Sequence, residues 1–298
     1  MSHFLEIDDL SVDELHEVLR RAALPKHDSK PLLGEGVALV FEKPSARTRN
    51  SMEMAVHQLG GHPVYIQGHE VGFDTRETVE DVTRTLAQYY EILCARVFSH
   101  SVVERMAAMD AKPVVNLLSD RAHPMQALAD LLTLQNEFGE DLTGRTIAYV
   151  GDANNVTRSL ALAAGRAGMN VRVGHPEGYG FDDADLEVLR GAAIDFELTS
   201  DPVQAVKGVD AVYADVWTSM GQEEESERRL RDFAGWTIDT DLMGEAGDDA
   251  IFLHCLPAHE GEECTREVLE AANSRVWPQA QNRMHAARGL LGFLHEVG

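Results

Sequence analysis

The stretch FEKPSARTRN, residues 41–50, gathers three basic side chains (Lys43, Arg47 and Arg49) and two hydroxyls (Ser45 and Thr48) directly after the apolar run GVALVF. A strand that passes through a short loop into a helix beginning at Ser45 aims free backbone N–H groups, and the positive end of the helix dipole, at that loop. Anions bind readily at such places. Arg47 adds a planar two-pronged donor suited to phosphate, and the hydroxyls add short donors. The stretch is not a P-loop, because G-x-x-x-x-G-K-[ST] does not occur in the chain. Taken alone, it reads equally well as a solvated helix start whose arginines pair with carboxylates.

Other stretches carry chemistry of their own. His123 and Gln126 in AHPMQ lie one helical turn apart, so both can face one site. Arg96 ends the apolar run ILCAR. GDANNVTRS follows a strand and opens a helix, which invites a dinucleotide reading, but only Gly151 of the required glycine pattern is present. HCLPAHEGEEC holds His254, Cys255, His259 and Cys264 and could pass for a zinc cluster. Adjacent His254 and Cys255 are an awkward ligand pair and no C-x2-C spacing occurs, so neither a metal nor a nicotinamide cofactor is expected from these motifs.

The elements that must position these groups alternate along the chain. IDDLSVDELHEVLRRAALPK predicts a helix capped by Ser11 and ending near Pro25. GVALVF, PVYI, ILCARV and PVVNLL read as strands, separated by helical SARTRNSMEMAVHQLGG, ETVEDVTRTLAQYY and SVVERMAAMD and followed by HPMQALADLLTLQNEFG. A second series runs from TGRTIAYVGD through VTRSLALAAGRAG, NVRVGHP, DADLEVLRGAA, DAVYADV and AIFLHCL to a last amphipathic helix, AQNRMHAARGLLGFLHEV. Strand and helix taking turns predicts an α/β fold of two domains, each a parallel sheet flanked by helices. The expected division is residues 1–132 and 133–298, with the last helix (about 280–298) packing back on the first domain and a cleft between the two. TSMGQEEESERRLRDF reads as a mobile polar loop.

Composition narrows the setting. The 298 residues include 50 acidic against 26 basic, a formal charge of -24, which makes nucleic acid a poor partner. No run of about 18 apolar residues or leader-like N-terminus is present, so neither a membrane span nor a signal peptide is expected. Three cysteines are too few for a disulfide framework and suggest a reducing, cytoplasmic location.

FEKPSARTR, DRAHPMQALAD, GDANNVTRS, DVWTSMG, HCLPAH and QNRMHA occur in that order across essentially the whole chain. Together they resemble the ornithine carbamoyltransferases of the aspartate/ornithine carbamoyltransferase family. The resemblance implies carbamoyl phosphate and L-ornithine as substrates, L-citrulline and phosphate as products, no cofactor or metal, and a homotrimer or an assembly of trimers. The family's S-T-R-T phosphate grip is here Ser45-Ala46-Arg47-Thr48, so Ala46 departs from the usual threonine and one hydroxyl donor is missing. By the same resemblance Arg96 and His123 polarise the carbonyl, and Gln126 accepts from the carbamoyl NH2. The backbone carbonyls of Cys255 and Leu256 hold its nitrogen, and Arg283 adds a cation. Asn155, with Asn154 as the alternative, reads the α-carboxylate of ornithine; Asp215 pairs with the α-ammonium; Ser219 and Met220 lie on a closing loop. Cys255 or Asp215 takes up the proton of the amine. Relatives supply a glutamine from a neighbouring subunit's loop, but GHEVGFDTRET has none after Gln67, and His69 or Arg76 are the substitutes at hand. Putrescine would offer no carboxylate to Asn155, and an aspartate enzyme would be expected to lack the Cys255 motif. The direction, biosynthesis or arginine fermentation, is left open.

Only five of the 26 basic residues are lysines, and the carboxylate excess predicts adaptation to high salt, where screening suppresses self-repulsion. Melting curves against KCl should show the midpoint rising from dilute buffer to molar salt; an unchanged midpoint would contradict a halophilic origin.

Overall fold

The structure is a computed structural model describing residues 2–25, 30–218 and 223–297. Its first series is α1 (Val12–Ala23), β1 (Gly36–Phe41), α2 (Ala46–Gln58), β2 (His62–Gln67), the single turn α3 (Gly68–Val71), α4 (Val79–Leu86), β3 (Ile92–Arg96), α5 (His100–Ala108), β4 (Val114–Leu118) and α6 (Pro124–Phe138). The second is β5 (Thr146–Val150), α7 (Asn155–Arg166), β6 (Asn170–Gly174), α8 (Asp183–Gly191), β7 (Phe196–Thr199), α9 (Pro202–Val206), β8 (Ala211–Ala214), α10 (Ser226–Asp232), α11 (Thr240–Met243), β9 (Ile251–His254), α12 (Arg266–Leu269) and α13 (Val276–Val297). Local signals account for many boundaries. Ser11 Oγ accepts from Glu14 N–H while Glu14 Oε2 accepts from Ser11 N–H, a reciprocal cap that starts α1.

The chain divides into two compact units, Met1–Leu132 with Gln281–Gly298, and Thr133–Ala280. In the first, a parallel sheet has the order β2-β1-β3-β4; in the second, the order is β7-β6-β5-β8-β9. β1 pairs with β2 and β3, with Phe41 opposite Arg96. β5 pairs with β6 and β8, with Tyr149 opposite Tyr213. Right-handed crossovers therefore send the connections after β1 and β3 to opposite faces, and likewise those after β5 and β8. A crevice opens at the carboxyl ends where the strand order reverses, the usual ligand position in open α/β sheets. One core cluster of the first unit joins Val40, Val79, Leu93, Val103 and Val114; one of the second joins Val150, Val212, Phe233, Phe252 and Val276.

Two expectations are corrected. The polar segment after Trp217 is not wholly a loop, since residues 226–232 form α10, pinned through buried Arg229. β7 was not anticipated from the sequence: it is an edge strand whose residues are only partly buried or exposed, so the continuous apolar run that marks the other strands is missing.

α13 returns to the first unit and docks on α1. Arg288 Nη2 donates to Ala22 O at 3.0 Å and to Leu24 O at 2.5 Å, satisfying carbonyls that the end of α1 leaves without helical partners. Gly289 sits where an added Cβ would lie 2.6 Å from Val18 O and 2.8 Å from Ala22 N, so the helices approach through bare backbone. Gly289→Ala should lower stability by about 1–3 kcal/mol in urea unfolding; an unchanged midpoint would show that the helices have room to part.

Candidate active site

In the first unit, β1 and β3 deliver groups to one spot at their carboxyl ends. Ser45 is the N-cap of α2, its Oγ accepting from Thr48 N–H at 3.3 Å and lying 3.1 Å from Thr48 Oγ1. Thr48 is buried, and its hydroxyl oxygen receives Arg283 Nη2 at 2.7 Å and Arg96 Nη1 at 3.5 Å. Arg283 Nη1 also donates to Gln126 Oε1 at 2.8 Å, while Gln126 Nε2 donates to Asp130 at 2.8 Å. Ser45, Thr48, Arg96, Gln126 and Arg283 are thus brought into one network. Arg47 is half-buried, and among the described residues its guanidinium has no hydrogen bond or ion pair. Ala46 is exposed at the first position of α2. Lys43 lies over the Phe98 ring at 4.7 Å; burial, and then Arg96, lowers its pKa. Arg49 is turned elsewhere, onto Tyr65 and Glu53.

His123 precedes α6 and is buried; its carbonyl accepts from Gln126 N–H at 3.0 Å. Burial, then Arg283 and Arg96, holds its pKa well below the ordinary 6.5. The neutral imidazole carries one N–H, a donor without full charge.

In the second unit, the groups follow β5 and β8. Gly151 takes φ 151°, a conformation L side chains rarely adopt, and turns the chain out of β5. Asn154 caps α7, its Oδ1 accepting from Val156 N–H at 2.8 Å, while its Nδ2 donates to Asp215 Oδ2 at 3.2 Å. Asp215 Oδ1 accepts from Cys255 Sγ at 2.9 Å and from Val216 N–H at 2.8 Å. Asn154, Asp215 and Cys255 therefore form a chain, with Asn155 one residue on at the start of α7. Leu256, beside Cys255, has φ 61°, a strained value for a branched residue. It is held because Leu256 N–H donates to His254 Nδ1 at 2.8 Å, and His254 Nε2 lies 3.1 Å from buried Glu263 Oε1. His254, Glu263 and Cys264 place possible ligand atoms within 4.8 Å of one another, as do His259, Glu262 and Glu263. Both ring nitrogens of His254 are already engaged by the protein.

Ser219 and Met220 lie outside the described residues. His69 and Arg76 are both exposed. Residues that sequence reasoning missed are Asp152 and Arg229: Arg229 Nη1 donates to Asp152 Oδ2 at 2.6 Å and to Trp217 O at 2.9 Å, clamping the chain after Asp215 to the loop before Asn154. Asp152 stands inside GDANN and could have been singled out there; nothing in the surrounding sequence distinguishes Arg229 from its neighbour Arg228.

Because folding lowers the His123 pKa below 6.5, its buried neutral state costs stability as pH falls below 6.5 towards the folded value. An NMR titration should find this imidazole neutral at pH 6.5; an imidazolium there would contradict the burial argument.

The aspartate/ornithine carbamoyltransferase carbamoyl-P binding domain model matches residues 2–136, and the Asp/Orn binding domain model of the same family matches residues 143–294. The chain is 48% identical over 302 residues to an ornithine carbamoyltransferase of Acidothermus cellulolyticus, covering 98% of this chain and 96% of that one. It is similar to the crystal structure of ornithine carbamoyltransferase from Thermus thermophilus, with TM-score 0.90, 44% identity and 99% of each chain covered. For the ornithine carbamoyltransferase of Pyrococcus furiosus the TM-score is 0.94 at 40% identity, covering 99% of this chain and 97% of that one. With two family domains matched in order and folds that superpose over almost the entire length, the chain belongs to the aspartate/ornithine carbamoyltransferase family.

Proposed function

We propose that the chain is an ornithine carbamoyltransferase, moving the carbamoyl group of carbamoyl phosphate to the δ-amine of L-ornithine to give L-citrulline and phosphate. The observation that carries this reading is the meeting of Arg96 and Arg283 on Thr48 at the β1–β3 switch point, beside buried His123. The free N–H groups of α2, Ser45, Thr48 and the uncommitted Arg47 guanidinium would take the phosphate, whose growing charge as a leaving group they offset. Ala46 supplies no hydroxyl, a loss of about 1 kcal/mol while its N–H still serves. Neutral His123 and Arg96 donate to the carbonyl oxygen, where negative charge gathers as the amine attacks. Gln126 Oε1, an sp2 oxygen already accepting from Arg283, has a second lone pair for the carbamoyl NH2.

The second unit supports the amino acid. The positive dipole end of α7, which starts at Asn155, favours the α-carboxylate, and the Asp215 carboxylate favours the α-ammonium. Asn155 is the carboxylate reader in this proposal, with Asn154, which caps α7 and donates to Asp215, as the alternative. The amine must lose a proton, and Asp215 and Cys255, 2.9 Å apart, are the two acceptors at hand. The reading includes a homotrimer or an assembly of trimers working in the cytoplasm. None of Cys94, Cys255 and Cys264 is in a disulfide, and among the described residues no helix is long and apolar enough to cross a membrane.

A citrulline assay in molar salt with carbamoyl phosphate and ornithine, putrescine or aspartate tests the reading: product is expected from ornithine, and its absence there would overturn the proposal. Arg47→Ala should lower kcat/KM for carbamoyl phosphate by about 100-fold with an unchanged melting midpoint; wild-type kinetics would remove Arg47 from the phosphate site.

A further inference from the structure

We propose that Ser119 and His100 are positioning residues for the carbamoyl transfer, setting the turn that delivers His123; this rests on the carbamoyltransferase reading. β4 ends at Leu118 and α6 begins at Pro124, so residues 119–123 must reverse the chain and present the imidazole. Ser119 is fully buried and bolts this turn twice: its N–H donates to Ala122 O at 2.9 Å, and its Oγ accepts from Ala122 N–H at 3.2 Å. Buried Asn116 on β4 donates from Nδ2 to the same Oγ at 3.2 Å and to Leu5 O at 3.0 Å. With these two donors aimed at it, Ser119 Oγ has its hydroxyl hydrogen left to give. His100 Nδ1, at 2.7 Å, is a nearer acceptor than Ala122 O at 3.5 Å.

His100 opens α5, the helix that follows Arg96 on β3. Its backbone N–H donates to Asp120 Oδ1 at 2.8 Å, and Asp120 N–H donates to Phe98 O at 3.1 Å. The His100–Ser119 pair thus ties the segment after Arg96 to the turn before His123, the two groups assigned to the carbonyl oxygen. Neither side chain need touch a substrate; both fix where the donors stand, and a displacement of about 1 Å can cost 100-fold in rate.

The tie requires an unprotonated Nδ1, leaving the ring proton on Nε2, which faces Glu6 at 3.5 Å and Glu104 at 4.0 Å. Burial is the largest influence and keeps the His100 pKa below its ordinary value, Arg121 adding to it while Glu6, Glu104 and Asp120 oppose it. A second proton would set an N–H against a hydroxyl oxygen that already accepts two donors, so acid should loosen the turn.

The test compares Ser119→Ala, His100→Ala and His100→Asn, the last placing an amide oxygen where Nδ1 accepts. Ser119→Ala and His100→Ala should lower kcat by about 10- to 100-fold with little change in the KM for ornithine. His100→Asn should recover most of that loss and lose the part of the acid limb that His100 contributes. Hydrogen exchange of residues 119–123, read by mass spectrometry without any activity, should quicken in Ser119→Ala. Wild-type kcat and exchange in a folded Ser119→Ala protein, or a His100→Asn protein as slow as His100→Ala, would overturn the proposal. A wild-type chain that forms no citrulline would instead refute the functional reading, and the exchange comparison would still decide whether the pair holds the turn.

Discussion

Two guanidinium groups, Arg96 from β3 and Arg283 from α13, share the hydroxyl of Thr48, and much else in the first unit follows from that meeting. Like charges repel, and a protein with a formal charge of -24 offers many carboxylates that could separate them. They stay together because each is anchored by a different element, one at a strand end and one on a helix docked through Gly289. Burial first, and then the pair, lowers the His123 pKa well below 6.5. A neutral imidazole still carries one N–H and can donate a hydrogen bond without bringing a full charge.

The second unit uses the same topological device with the opposite charge. Strand order reverses between β5 and β8 as it does between β1 and β3, so the loops at the carboxyl ends part and leave backbone N–H groups and short side chains accessible. What fills the opening differs. Where the first unit gathers arginines, the second presents the Asp215 carboxylate, fastened by Asn154, Cys255 and its own neighbour's N–H. One arrangement is rich in cationic donors, and the other presents a carboxylate. The strained Leu256 beside Cys255 is kept in place by a hydrogen-bond relay running from Glu263 through His254.

Most of the strand and helix order could be read directly, because parallel strands buried on both faces leave continuous apolar runs and helices leave caps. β7 escaped because it lies at a sheet edge and lacks such a run, and α10 because its polar surface resembles a loop until Arg229 is seen to be buried. Among the candidate site residues, Ser45, Arg47 and Thr48 stand out from one local pattern, and the structure joins Ser45 and Thr48 by hydrogen bonds. Asn154 was weighed only as an alternative to Asn155, since two adjacent asparagines look alike until one of them is found capping α7 and reaching Asp215. Arg229, Asp152, His100 and Ser119 passed unremarked, because a buried partner is a property of distance and not of residue type.

The sequence by itself determined the alternation of elements, the basic helix start, the absence of a P-loop or a zinc-like spacing, and the resemblance carried by six ordered motifs. These are local or collinear features, set by backbone periodicity and by which residues stand side by side. Tertiary structure alone decided that Thr48 receives both Arg96 and Arg283, that His123 is neutral, and that Cys255 leans on Asp215. Each of those depends on residues far apart in the chain and on water being excluded around them. Hydrogen-bond geometry and the cost of burying charge exist only once the sheets have formed and brought those residues together.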